Sequence, residues 1–238
     1  MRPVRSLKAL FSSHFNDQSR STRRLPQEIR MLSLDVAISF AAAATVLCWV
    51  PGPDNIFVLI QSAIYGRTVG ICVTLGLCAG LVFHTLAVAL GVAAIFQTSE
   101  LAFNGLKFVG ACYLVYLAWK AFRASPEKLI EGESGSVSAR GMILRGMVMN
   151  VTNPKVAIFF LAFLPQFTSP ASGNVVLQML ALGAIFITCA FFSFMTIALL
   201  SGSISTWLKG SDKRQLVLNR SASVVFVGLA AKLATAHA

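Results

Sequence analysis

The feature that most constrains this chain is the length of its uncharged stretches. Residues 68–99 contain no Asp, Glu, Lys or Arg, and residues 146–208 contain only Lys155. About 20 residues of helix cross a bilayer core, so each stretch is long enough to span a membrane. A soluble domain is about a quarter charged. Here 12% of 238 residues are charged and 56% are hydrophobic, which excludes an ordinary soluble globule. The net charge of +11 invites a nucleic-acid reading, but of 20 Lys and Arg seven fall in residues 1–30, five in 120–145 and four in 209–220. Basic residues gathered between apolar segments are the pattern of a membrane protein, and no nucleic-acid partner is expected.

Six apolar segments follow along the chain: 34–60, 69–96, 101–122, 142–167, 175–201 and 221–236. All are expected to be helices, because a lipid-exposed backbone must satisfy its own N–H and C=O groups, and no ten-residue alternation suggests a barrel. The last is near the lower length limit and carries Lys232, which has to snorkel or face the bundle interior. Residues 123–141 read as a polar linker dividing a first three-helix half, 31–122, from a second, 142–238. The first helix of each half carries proline at membrane depth, Pro51-Gly52-Pro53 in one and Asn153-Pro154 in the other. Repeats with an odd number of spans lie upside down relative to one another. The expected fold is therefore an all-α membrane protein of six transmembrane helices, arranged as two inverted three-helix repeats with the first helix of each broken at proline. Paired interrupted helices of this kind point to a transporter binding site.

Residues 1–30 hold seven basic and two acidic residues without hydrophobic periodicity and read as a disordered basic tail. A transit peptide, or translation starting at Met31, are alternatives the composition leaves open. Loops 120–145 and 209–220 are the basic ones, which places them in the cytoplasm and both termini outside; the tail argues the reverse. Trp119 and Trp207, each beside a basic loop, mark the same interface.

Asp54 is a carboxylate deep in the first apolar segment. A charge at the bilayer centre costs roughly 2.5–3.5 kcal/mol, so such a residue marks a functional site by default. The competing reading makes Asp54 an interfacial cap on a helix that restarts after the prolines. Lys155 is the mirror observation in the second half, with a snorkelling lysine as its competitor. Their equivalent placement predicts an Asp54–Lys155 interaction across the bundle. Pro51, Gly52, Pro53 and Pro154 would free backbone groups for a ligand. Asn55, Asn150, Asn153, Gln61 and Gln166 supply amides for an amino-acid-like solute, although such amides also tie helices together.

His84 has no second ligand at helical spacing, so no metal site is expected; a proton relay and a packing hydrogen bond both remain open. The five cysteines form no C-x-x-C and read as small lipid-compatible side chains. Gly66-x-x-x-Gly70 and Gly76-x-x-x-Gly80 read as close-packing surfaces, which would also allow a homodimer. The phosphate-binding pattern G-x-x-x-x-G-K-[ST] is absent, so transport powered by this chain's own ATP hydrolysis is excluded. Neither a cofactor nor enzymatic activity is expected.

Taken together, the motifs resemble the LysE/RhtB family of amino-acid exporters. Pro51-Gly52-Pro53-Asp54 after an apolar helix is similar to its signature, followed by a Gly66-Arg67-x-x-Gly70 turn. The run from Gly110 through Tyr113 and Tyr116 to Trp119-Lys120 resembles its third helix, and Asn153-Pro154-Lys155 running on to Pro165-Gln166-Phe167 its fourth. The resemblance extends from about Met31 to the C-terminus. It implies a secondary-active exporter of small amino acids or their analogues, with threonine- or homoserine-like neutral ones favoured. It also implies the bacterial cytoplasmic (inner) membrane and coupling to a proton or cation gradient. The family often has an uncharged residue at the position of Asp54, so proton coupling through Asp54 is read from this chain. A metal transporter would need more ligands than Asp54 and His84. A thiol redox protein would need a cysteine beside Asn153-Pro154 to match Cys48.

Overall fold

A computed structural model describes residues 32–98, 100–125, 137–209 and 211–235, without the side chains of 92–103 and 209. The expected tail 1–30 and linker residues 126–136 lie outside the described residues. Helices α1 (Leu34–Trp49), α2 (Pro53–Tyr65), α3 (Arg67–Thr98) and α4 (Glu100–Arg123) are followed by α5 (Ala139–Val151) and α6 (Pro154–Ile158). The chain ends in α7 (Val175–Leu199), α8 (Ser201–Lys209) and α9 (Asp212–Thr235), and no strand occurs among the described residues. α6 runs on through a π-helical turn, Phe159–Phe163, and a 3-10 turn, Leu164–Phe167.

Three stretches are long and apolar enough to cross a membrane, Arg67–Gly91, Val175–Leu199 and Asp212–Thr235. Two bent pairs raise the number to as many as five among the described residues: α1 with α2 at 55°, and α5 with Pro154–Phe167 at 50°. α4, at 24 residues, spans about 36 Å at 1.5 Å per residue, although side chains are described only from Asn104 onward. The architecture is thus all-helical and multi-pass. Both breaks fall where the sequence places proline. Pro53 and Pro154 each open a new helix, a position where the missing N–H costs nothing. α9 begins nine residues before segment 221–236, because its first turns are polar and reach beyond the apolar stretch. The short α8 was not anticipated.

α3 is the central helix and packs chiefly against α5 and α7, while α4 pairs with α9 and α1 with α7. Small residues permit these approaches. A Cβ on Gly76 would run into the Ile143 carbonyl oxygen, and one on Gly146 into that of Val73. A Cβ on Gly80 would lie 2.7 Å from Asn150 Cβ, and one on Gly70 would strike the Ser62 hydroxyl. Three of the four motif glycines therefore pack inside the chain. Gly66 does not: at φ 87°, with nothing within 4 Å of its Cβ position, it is the turn between α2 and α3, which a glycine adopts without strain. Gly70, Gly76 and Gly80 are thus engaged within the chain. Core hydroxyls bond back to their own helix, Ser62 to Val58 O at 2.6 Å, Thr74 to Gly70 O at 2.9 Å and Thr85 to Leu81 O at 2.8 Å, and so carry no unmet polar group into the bundle. An aromatic cluster around Phe159, Phe160, Phe163 and Phe186 fills the bundle beside the second break, with ring centroids 4.7–6.3 Å apart.

Candidate functional site at the two helix breaks

The site begins with a missing N–H. In an unbroken helix Leu47 O would accept from residue 51, Cys48 O from residue 52 and Val50 O from residue 54. Pro51 has no N–H to give, and Gly52 lies in extended backbone (φ −168°, ψ 178°), so the last carbonyls of α1 lose their helical donors. Side chains replace them. Asn55 Nδ2 donates to Cys48 O at 2.7 Å. Lys155, from the other half of the chain, donates through Nζ to Val50 O at 2.9 Å and to Leu47 O at 3.2 Å. The C-terminal end of a helix dipole carries partial negative charge, which suits an ammonium. Gly52 leaves the space for it, since a Cβ there would lie 3.2 Å from Lys155 Nζ and 3.4 Å from its Cδ.

The second break is built in parallel. Asn153 caps α6, its Oδ1 accepting from Lys155 N–H at 3.0 Å, and Pro154 occupies the first turn. One turn earlier, Asn150 is fully buried and donates through Nδ2 to Asp54 Oδ2 at 2.8 Å. Its backbone oxygen lies 3.2 Å from His84 Nε2 on α3. A carbonyl can only accept, so Nε2 carries the hydrogen. Asn150 therefore joins a carboxylate on α2 to an imidazole on α3. Among the described residues, the buried side-chain atoms without a hydrogen-bond partner are Asp54 Oδ1, Asn150 Oδ1, Asn153 Nδ2 and Gln61 Oε1. Three of these four belong to the two breaks. Buried polar atoms are nearly always paired, so a local concentration of unpaired ones marks a place suited to a polar ligand.

The expected direct pairing of Asp54 with Lys155 does not occur. The two are electrostatic neighbours, but Lys155 is held by backbone carbonyls and Asp54 by an amide. The reason is local, because the prolines supply strong acceptors closer to the ammonium than the carboxylate. Both groups are buried in the bundle, Asp54 at 3% exposure and Lys155 at 8%; Asp54 lies within the first turn of α2 behind the Gly52 cap, and Lys155 turns its ammonium onto α1 instead of outward. Asn55, Asn150 and Asn153 join them. Gln61 lies farther along α2 with its Oε1 unpaired, and Gln166 donates to Ala162 O at 3.3 Å in its own turn; neither bonds to the cluster. His84 enters the site as the packing hydrogen bond weighed for it. Lys107 on α4, not singled out from the sequence, is also buried, with Nζ 5.3 Å from the Phe108 ring centroid. Its apolar flanks hide it in a sequence that has no break there. No group of three or more metal-ligating side chains occurs among the described residues. Cys48, like the other four cysteines, is free.

Comparison with known proteins adds an independent line. Residues 45–237 match the family model described as LysE type translocator. The chain is 30% identical over 201 residues to a leucine efflux protein of Enterobacter sp. (strain 638), covering 84% of this chain and 95% of that protein. It is 30% identical over 199 residues to a homoserine/homoserine lactone efflux protein of Salmonella typhimurium, covering 84% and 96%. An uncharacterized membrane protein of Bacillus subtilis, YrhP, is 27% identical over 206 residues, covering 82% and 96%. No solved structure matches.

Proposed function

The chain belongs to the LysE type translocator family, and on that premise we propose that it exports small neutral amino acids or their analogues, threonine- or homoserine-like ones foremost, across the bacterial cytoplasmic membrane. Transport is secondary-active and proton-coupled. The observation that carries the reading is the meeting of two proline-broken helices. It brings together a buried carboxylate, a buried ammonium and three orphaned amide or carboxylate atoms within a bundle whose core is mainly apolar. A zwitterion presents one ammonium and one carboxylate, the complement of this set. Relatives that carry leucine and homoserine in their names favour a neutral side chain.

Asp54 is the coupling group in this reading. Held by a hydrogen bond from Asn150 and flanked by the Asn153 amide, with Oδ1 left without a close partner, it can exchange a proton with whichever side the site opens to. The inverted three-plus-three arrangement with six spans supplies the means of alternating access. Its support is the pair of similar bends, 55° and 50°, and matched packing: α7 receives the first broken helix as α3 receives the second. Cells fed leucine- or homoserine-containing dipeptides test the function. Strains making this chain should excrete the freed amino acid faster than strains without it, and a proton uncoupler should remove the difference. Equal excretion across neutral and charged dipeptides would overturn the reading.

A further inference from the structure

The place occupied by Lys155 Nζ has a chemistry of its own. Two carbonyl oxygens, Val50 O at 2.9 Å and Leu47 O at 3.2 Å, hold the ammonium at the negative end of the 16-residue helix α1. Pro51 and Gly52 deprive both of their ordinary helical donors four residues on, although Leu47 O still accepts from Val50 N–H at 3.2 Å, and neither oxygen belongs to a side chain that could turn away. Gly52 keeps the space open, and the unpaired acceptors Asp54 Oδ1 and Asn150 Oδ1 belong to the same cluster. An ammonium carries three N–H donors and two are used here. This is a primary-ammonium site built from backbone and filled from within the chain.

We propose that Lys155 is a placeholder: its ammonium fills a binding site for a primary alkylammonium, and during export that site passes to the α-ammonium group of the substrate. The displaced Lys155 then meets the substrate carboxylate. The exchange keeps one positive charge on the carbonyls of α1 at every stage, so the broken helix never faces the bilayer interior uncompensated. It also explains why a lysine serves here. The ε-ammonium and an α-ammonium are the same functional group, whereas a guanidinium is a planar fork with a different donor geometry.

The substrate half of this inference rests on the export reading, but the site itself does not, and it is testable without measuring transport. Lys155→Ala, purified in detergent, should lose thermal stability and regain it with methylammonium chloride, as a saturable rise in the thermal midpoint of about 2–4 °C. Tetramethylammonium, which has no N–H, should give no rise. Wild-type protein, its site filled, and Lys155→Met, whose side chain refills the gap without donors, should not respond to methylammonium. A variant recovered only when methylammonium is present during expression and extraction would support the inference in the same way. No shift in Lys155→Ala, an equal shift in wild type or with tetramethylammonium, or a variant that methylammonium cannot recover as folded protein would each overturn it. A positive shift alongside failed amino-acid export would leave the site standing and refute the exporter assignment instead.

Discussion

Asn150 carries more of the site's connectivity than either charge. Its side chain donates to Asp54 and its carbonyl accepts from His84, so one residue links α2, α3 and α5. Replacing its side chain leaves Asp54 Oδ2 without its partner, while the backbone carbonyl that faces His84 stays, and a buried group left unpaired costs about 1–3 kcal/mol. Asn150→Leu should therefore lower the thermal midpoint of the purified protein and reduce export by about tenfold or more, since each 1.36 kcal/mol lost from the transport barrier is a factor of ten. A variant that loses export with an unchanged midpoint would show that the hydrogen bonds matter for the cycle and not for the fold. Undiminished export would remove Asn150 from the site. The sequence marked Asp54 and Lys155 because charge in an apolar run stands out. Asn150, one of several amides, carried no comparable signal, and His84 could not be assigned to a partner 66 positions away by spacing alone.

The break in the first helix is written in three consecutive residues, and its consequences follow from covalent structure. Pro51 withholds a donor from Leu47 O, Gly52 lets the chain run extended beside the Lys155 side chain, and Pro53 starts α2. Pro51→Ala returns an N–H at position 51 that can donate to Leu47 O, extending α1 and competing with Lys155 for its acceptor. We expect this variant to fold and insert normally but to export several-fold more slowly, about the effect of 1 kcal/mol. Export at the wild-type rate would mean that the freed carbonyl has no part in transport. At this scale the sequence was a good guide, since proline and glycine act locally and the six segments overlap the observed helices. It erred at ends governed by polar contacts. α9 starts early because Arg214 donates to Trp207 O at 3.0 Å and lies over that ring, contacts that apolar periodicity does not register. The π-helical turn at Phe159–Phe163 left no trace in the pattern, being a property of packing against the aromatic cluster.

Across the whole molecule, the described end of α4 and the start of α9, each beside a basic stretch, come together. Arg123 lies 4.9 Å from the Trp119 ring centroid and Arg214 5.3 Å from that of Trp207. Asn219 near the start of α9 donates to Ala124 O at the end of α4. The apolar core, the glycine contacts and the two breaks are consistent with one bundle in which Asp54, Lys155 and the unpaired amide atoms of Asn150 and Asn153 gather at the proline-broken helices, with buried Lys107 on α4 apart from them. The partnership across that interior was not legible beforehand, because symmetry predicted that Asp54 and Lys155 would meet but not that backbone carbonyls would intervene. The central claim, that this interior couples proton movement to amino-acid export, is tested most directly in proteoliposomes containing the purified protein, with an imposed pH gradient and labelled leucine or homoserine. Wild-type protein should move the amino acid against its gradient as protons flow the other way, and Asp54→Asn, equally folded, should not. Gradient-driven flux that persists undiminished in Asp54→Asn, or wild-type flux indifferent to the pH gradient, would contradict it.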